Sequence, residues 1–517
     1  MMRGGFLLLA AMVGIGIVAE AYLLVKPALH VVIVSMAAIG LFAFCLQRPY
    51  RQALLWRATV IATVMPLLAW SLPVLWLLFL LLGLGVPLVA RRFDMVVPVY
   101  LFSLLLLPGL ESSIMIGPLK LVDFSLHDAL AVGAGVTIRF GGGRARPHPR
   151  SDIAAWSVIL LLGMALARET SLSNHLRSAL NVLIDLGLPY YILSRGIRTM
   201  EELRAAMLWM GCGAVTLAAL LAYELVKTWP IYNILYAQYD LPTLVSAKMR
   251  GGYLRAGGPF TEPTSAAMVL AVCIVSLWLC RRYFRSAWHH LLPLGVAMAG
   301  LFAPQSRGAW IGLILALACA DLFRSRYLPL ARKAFLVAGS VSILVLAAEI
   351  SSGVSDRLGL SGDASDTSDY RRMLFEKGMS AFRDRPVLGY SVPELNYRLA
   401  ELRQGEGIID FVNSYIWIML ISGTVGLAIF VGAFLYYAGS LWTARRGAGT
   451  SHDGREAATF LFASLCMMQE MLFFTSFGTR PAMFVFIVFG CSTAYMGIAR
   501  AGRRAPSPPG AVPAIAA

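Results

Sequence analysis

"DFVNSYIWIMLISGTVG", Asp410 to Gly426, places an amide and a hydroxyl, Asn413 and Ser414, at the mouth of an apolar run that follows a loop crowded with charge. An apolar run long enough to cross a bilayer needs roughly 17–25 residues. This one continues to about residue 438, so it reads as a membrane helix with a polar entrance. The same alternation of charged loop and apolar run recurs along the whole chain.

Of the 517 residues, 58% are hydrophobic and 14% are charged. Soluble domains carry about a quarter charged residues, and mean hydropathy here is +0.71. The fold class expected is therefore an all-α polytopic membrane protein with about 12–16 transmembrane helices. The first run, Gly4 to Val25, follows Arg3 as a signal peptide would, but it lacks a small-x-small cleavage site and is expected to be retained as the first helix. Further spans are expected near 29–46, 54–71, 73–90, 95–110, 125–140, 153–168, 175–193, 205–226, 262–280, 289–304, 308–323, 334–349, 412–438, 457–475 and 481–498.

The seven cysteines all fall in apolar runs and form no C-x-x-C pair, which argues against a disulfide framework or a zinc site. A net charge of +16 on a soluble chain would suggest nucleic acid, but here most arginines sit in short loops on one side of the map. The positive-inside bias makes that side cytoplasmic, with both termini inside and no nucleic-acid partner. The division that follows is 1–226 helical, 227–258 an outer loop, 259–349 helical, 350–411 a large outer (periplasmic) loop, 412–499 helical and 500–517 a disordered cytoplasmic tail.

The two outer loops carry arginines that break this bias. In "KMRGGYLRAGGPFTEPTSAA", Arg250 and Arg255 lie among glycines just before a membrane helix. A guanidinium fork suits phosphate oxygens, whether of a substrate or of lipid headgroups. Arg307 stands in the outer turn of a helical hairpin, where an unpaired cation is expensive enough to imply a function or a partner. In the longer loop, "VSDRLGLSGDASDTSDY" is expected to be irregular, and a helix capped by Ser368 or Asp369 is expected to run to Pro386. Phe375, Met379 and Phe382 would form its apolar stripe, with Arg371 one turn before Phe375 on the same face. Arg255, Arg307 and Arg371 are thus expected to converge on one polyanion, with Arg250 and Arg372 as neighbours. No metal-binding motif and no P-loop appears, so neither a metal nor a nucleotide cofactor is expected.

These motifs are similar to those of the bacterial O-antigen ligase and Wzy-type polymerase superfamily. "RAGGPFTEPTSAA" resembles its R-x-x-G-x-F-x-x-P segment, "SRGAWIG" its S-R-G-x-W segment, and "RRMLFEKGMSAFRDRPVLGYS" its R-x(14)-P-x-x-G segment. The opening stretch resembles the His-[Asn/Ser/Gln]-x(9)-Gly-x-x-Gly signature, with Asn413, Gly423 and Gly426 in register and Val412 in place of histidine.

The resemblance implies a metal-independent membrane glycosyltransferase of the bacterial inner membrane, acting at the periplasmic face. It implies an undecaprenyl-pyrophosphate-linked oligosaccharide as donor, another as acceptor, membrane lipids around the site and a chain-length regulator as partner. Arg255 and Arg371 would clamp the pyrophosphate, and Arg307 would be a third ligand or a brace. Because valine cannot accept a proton, Val412 favours a polymerase of O-antigen or exopolysaccharide over a ligase, or else a different base such as Glu262 or Asp410. A carboxylate beside arginines is equally a salt-bridge partner. Asn413 and Ser414 would hydrogen-bond a sugar or cap the helix. Tyr390, Tyr397, Tyr415 and Trp417 would stack on sugar or belong to the interfacial aromatic belt. A flippase, the rival from another class, would show internal repeats and charge at the midplane, and neither is seen.

Overall fold

The computed structural model describes residues 25–117, 119–141, 149–168, 171–241, 248–250, 252–329, 331, 363–403, 409–445 and 452–504. The expected first span, the expected span at 334–349, the glycine-rich "GGGRAR" loop beyond Gly141 and the tail after Arg504 lie outside these residues.

The protein is an all-α membrane fold. Among the described residues six helices are long and apolar enough to cross a bilayer, namely Val25–Cys45, Arg48–Ser71, Arg150–Ala167, Met200–Lys227, Ser414–Ala444 and Arg480–Ala501, and shorter apolar helices accompany them. Eight helices matter for the site. They are α1 (Pro149–Ala167), α2 (Met200–Lys227), α3 (Pro263–Leu279), α4 (Arg307–Phe323), α5 (Asp363–Asp384), α6 (Ser414–Ala444), α7 (His452–Met471) and α8 (Thr479–Arg504).

The centre of the bundle is α2, packed against α3 and buried along most of its length. Thr199 and Glu202 start it with a reciprocal capping box that satisfies orphan N–H groups. Helix α3 is buried on all sides, which its largely apolar sequence requires. It contacts α4, α7 and α8, and α4 lies along α7.

Two ends of this bundle differ in charge. Arg324 follows α4, Arg281 and Arg282 follow α3, and Arg204 lies in the first turns of α2; together with Asp453 and Glu456 they line one cavity. Ion pairs join Arg204 and Arg282 to Asp453, and Arg324 to Glu456. The opposite end of α4 begins with Arg307. At 1.5 Å per residue its length separates the two ends by about 25 Å.

Several local expectations are corrected. Helix α5 begins at Asp363, not after Asp369, so the segment read as irregular is helical in its last part. Its buried positions are Leu374, Gly378 and Ala381 rather than Phe375, Met379 and Phe382, and Phe375 is 55% exposed. Small residues let α5 lie close on α6, and a Cβ at Gly378 would stand 3.2 Å from Ile416 Cγ2. An antiparallel hairpin, Glu111–Ile116 with Leu119–Ser125, joins two of the expected spans. The loop after α2 holds a short helix, Asn233–Gln238, and a two-residue strand pair.

Candidate active site

The first arginine element is the loop between α2 and α3. Its backbone is tied to the turn before α4: Ala256 N–H donates to Ala303 O at 3.1 Å, Arg255 Nε to Pro304 O at 3.2 Å, and Arg250 Nη1 to Gln305 O at 2.8 Å. Arg255 and Arg250 are therefore fixed against the turn that carries Arg307 as the first residue of α4.

A buried carboxylate and a half-buried guanidinium hold this loop. Glu224 of α2 is 1% exposed and accepts from Gly258 N–H at 2.8 Å and Ile231 N–H at 3.1 Å. Arg480 of α8 donates to Phe260 O, to Thr261 Oγ1 at 2.8 Å and to Tyr236 Oη at 2.8 Å. Both residues escaped the sequence reading. Glu224→Leu strands two buried N–H groups, and the expected cost is about 2–4 kcal/mol in stability, read as a lower melting temperature in detergent.

Arg371 on α5 completes the group. Arg255 feels the charges of Arg250, Glu262, Arg371 and Arg307, and Arg371 feels those of Arg307 and Asp410. Burial, with the neighbouring arginines, pulls the Arg255 guanidinium down to about 10, and only Glu262 opposes them. Burial and Arg307 likewise lower Arg371, against Asp410. Among the described residues none of Arg255, Arg307 and Arg371 forms an ion pair. Such a cluster of unneutralised cations attracts a polyanion.

Beside Arg371 opens a cavity of about 540 Å³, lined also by Phe375, Val412, Asn413, Glu470 and Phe474. The Arg371 guanidinium lies 5.7 Å from the Phe474 ring centroid. The expected shared face of Arg371 and Phe375 is thus observed, although Phe375 faces the cavity and not the core.

The other predicted residues divide. Arg372 points away and pairs with Glu376 at 2.9 Å on the exposed side of α5. Asn413 caps α6, its Oδ1 accepting from Tyr415 N–H at 3.0 Å and Ile416 N–H at 3.1 Å, and it also lines the cavity. Ser414 is buried and donates to Thr475 O at 2.6 Å. The Tyr415 hydroxyl donates to Gln469, while its ring packs 4.3 Å from that of Phe473. Glu262 accepts from the Thr264 and Ser265 hydroxyls and lines a different cavity of about 230 Å³, with Glu111, Asp128, Asp185 and Arg480. Asp410 accepts from Ser476 Oγ at 2.8 Å. Tyr390 is buried at 1% exposure and is no platform for sugar, whereas Tyr397 is 84% exposed. Trp417 and Phe477 line a third cavity, of about 390 Å³, with Asn174, Arg177 and Asn181.

Residues 292–431 match Wzy_C, the O-Antigen ligase family. The resemblance carried by the motifs is borne out over this span, and the chain is supported as a multi-pass membrane protein that processes glycans. No curated protein matches the chain. The matched span holds "SRGAWIG", the Arg371-to-Gly389 segment and the opening stretch, while "RAGGPFTEPTSAA" precedes it.

Geometry explains two of the sequence motifs as one device. Helix α6 is broken at Gly423, which sits at φ 67° and ψ −164°. The turn Pro386 to Gly389 docks into that break: Tyr390 N–H donates to Leu420 O at 2.7 Å, and Thr424 N–H to Pro386 O at 2.8 Å. Gly389 is also left-handed, at φ 63°, and a Cβ there would stand 2.3 Å from Leu420 O. Arg168 from the end of α1 clasps both partners, donating to Leu388 O at 2.9 Å and Ile421 O at 2.7 Å. Gly423 is thus the socket that locks the helix of Arg371 onto the helix of Asn413.

Proposed function

We propose that this protein is a polysaccharide polymerase that joins undecaprenyl-pyrophosphate-linked repeat units of an O-antigen or exopolysaccharide, without metal, at the periplasmic face of the inner membrane. The observation that carries this reading is the meeting of Arg255, Arg307 and Arg371 with no neutralising ion pair among the described residues. Breaking a glycosyl pyrophosphate bond builds negative charge on the departing phosphate, and fixed guanidinium groups stabilise it as it grows. Arg255 and Arg371 hold the pyrophosphate, and Arg307 braces or adds a third contact. The opposite, ion-paired arginine end fits a cytoplasmic face by the positive-inside bias.

The cavity of Trp417, Phe477, Asn174 and Asn181 offers rings and amides that suit a saccharide. It is assigned here to glycan. Asn413 lines the Arg371 cavity, and its carboxamide N–H is assigned to a sugar hydroxyl.

A second reading, transfer of glycan to lipid A-core, is favoured by the description of the matched family as O-Antigen ligase. Val412 speaks against it. Deletion followed by analysis of surface glycans separates the two. Single repeats capped onto lipid A-core, or loss of secreted polymer, are expected for a polymerase. Long chains accumulating unattached would mean a ligase, and an unchanged glycan profile would remove both readings.

A further inference from the structure

We infer that Glu470, near the end of α7, is the base that takes the proton from the incoming sugar hydroxyl; this rests on the glycosyl-transfer reading above. Both of its carboxylate oxygens are buried without a hydrogen-bond partner among the described residues. An unpaired buried carboxylate is costly, and such groups in membrane helices mark sites of function. Its neighbours do not relieve it. The Tyr415 hydroxyl, close by, donates to Gln469 O at 2.8 Å and to Gln469 Oε1 at 2.9 Å instead.

Position supplies the second argument. Glu470 lines the 540 Å³ cavity with Arg371, Val412 and Asn413, and among the described lining residues it is the one carboxylate or imidazole. The carboxylates suggested by sequence are engaged elsewhere: Glu262 by two hydroxyls beside another cavity, Asp410 by Ser476. The backbone of α4 leaves room for Glu470 at Gly312, where a Cβ would stand 2.7 Å from Oε2. Larger residues at 312 would displace the carboxylate.

The acceptor hydroxyl oxygen forms a bond to the anomeric carbon of the donor, and the bond from that carbon to the pyrophosphate oxygen breaks. The electron pair leaves on undecaprenyl pyrophosphate, held by the arginines. The hydroxyl proton passes to Glu470, directly or through one water, and later to solvent.

The test uses the full-length protein in liposomes with an undecaprenyl-pyrophosphate-linked repeat unit. Glu470→Gln keeps the side-chain shape, and it is expected to lower kcat by about 10²–10⁴-fold with KM for the donor little changed. Val412→His in the Glu470→Gln background sets a new base on the same cavity and is expected to regain about tenfold or more. Where Glu470→Gln does not yield folded protein, Glu470→Asp carries the test, with a reduced kcat and an unchanged KM expected. Glu470→Gln turning over as wild type, a loss confined to KM, or Glu470→Asp as active as wild type would each overturn the assignment. A wild-type protein that transfers no glycan would instead fell the transfer reading, and this proposal with it.

Discussion

Arg371→Ala lowers kcat for glycan transfer by about 10²–10³-fold, the loss expected when one donor to a developing oxyanion is removed. Charge on the departing phosphate is greater in the transition state than in the bound donor, so the loss falls more on kcat than on KM. Arg371→Lys keeps the charge but not the fork, and it recovers only part of the rate. Arg255→Ala behaves alike, because its guanidinium is held beside the same neighbours by Pro304 O. Arg372→Ala is the internal control. Its side chain is 79% exposed and paired with Glu376, so transfer within about twofold of wild type is expected. Product formation from a labelled lipid-linked donor reads all of these, and equal losses at 371 and 372 would contradict the assignment of the site.

Gly423→Ala is expected to destabilise the protein by about 3–5 kcal/mol. The new Cβ would stand 2.0 Å from Val387 O, and the backbone at φ 67° and ψ −164° is one that residues other than glycine rarely adopt. The Pro386-to-Gly389 turn would be forced out of the break in α6, and α5 with Arg371 would lose its anchor. A melting curve in detergent and a limited proteolysis pattern at residues 385–391 report this directly. A variant that melts as wild type would mean that the turn and the helix break are not coupled.

The fold class was legible because hydropathy alone demands it, and the arginines could be assigned to one end because loop charge reports topology. Other features leave weak traces. The stripe of α5 was misread by one position because two of its buried residues, Gly378 and Ala381, are too small to mark a hydrophobic face. The early start of α5 was hidden by Ser, Asp and Gly, which favour turns and helix starts alike. Gly423 and Pro386 stand far apart in sequence, and nothing in either segment names the other as its partner.

Single charges inside apolar runs were the missed signal. Glu224, Glu470 and Arg480 each interrupt or border a hydrophobic stretch, and the argument applied to Arg307 applies equally to them. What sequence cannot provide is the partner. Glu224 turns out to be satisfied by two backbone N–H groups, Arg480 by the loop of Phe260 and Thr261, and Glu470 by nothing among the described residues. Val412 still departs from the ligase signature, and Glu470 on the same cavity is the group assigned to remove the proton in a chain without that histidine.

The most direct measurement is product analysis after purified protein in liposomes meets an undecaprenyl-pyrophosphate-linked repeat unit, with no metal and no nucleotide sugar added. A ladder of lengthening lipid-linked glycans is expected with wild type, and its near absence with Arg371→Ala. Single repeats persisting unchanged with the wild type, or an equal ladder from Arg371→Ala, would contradict it.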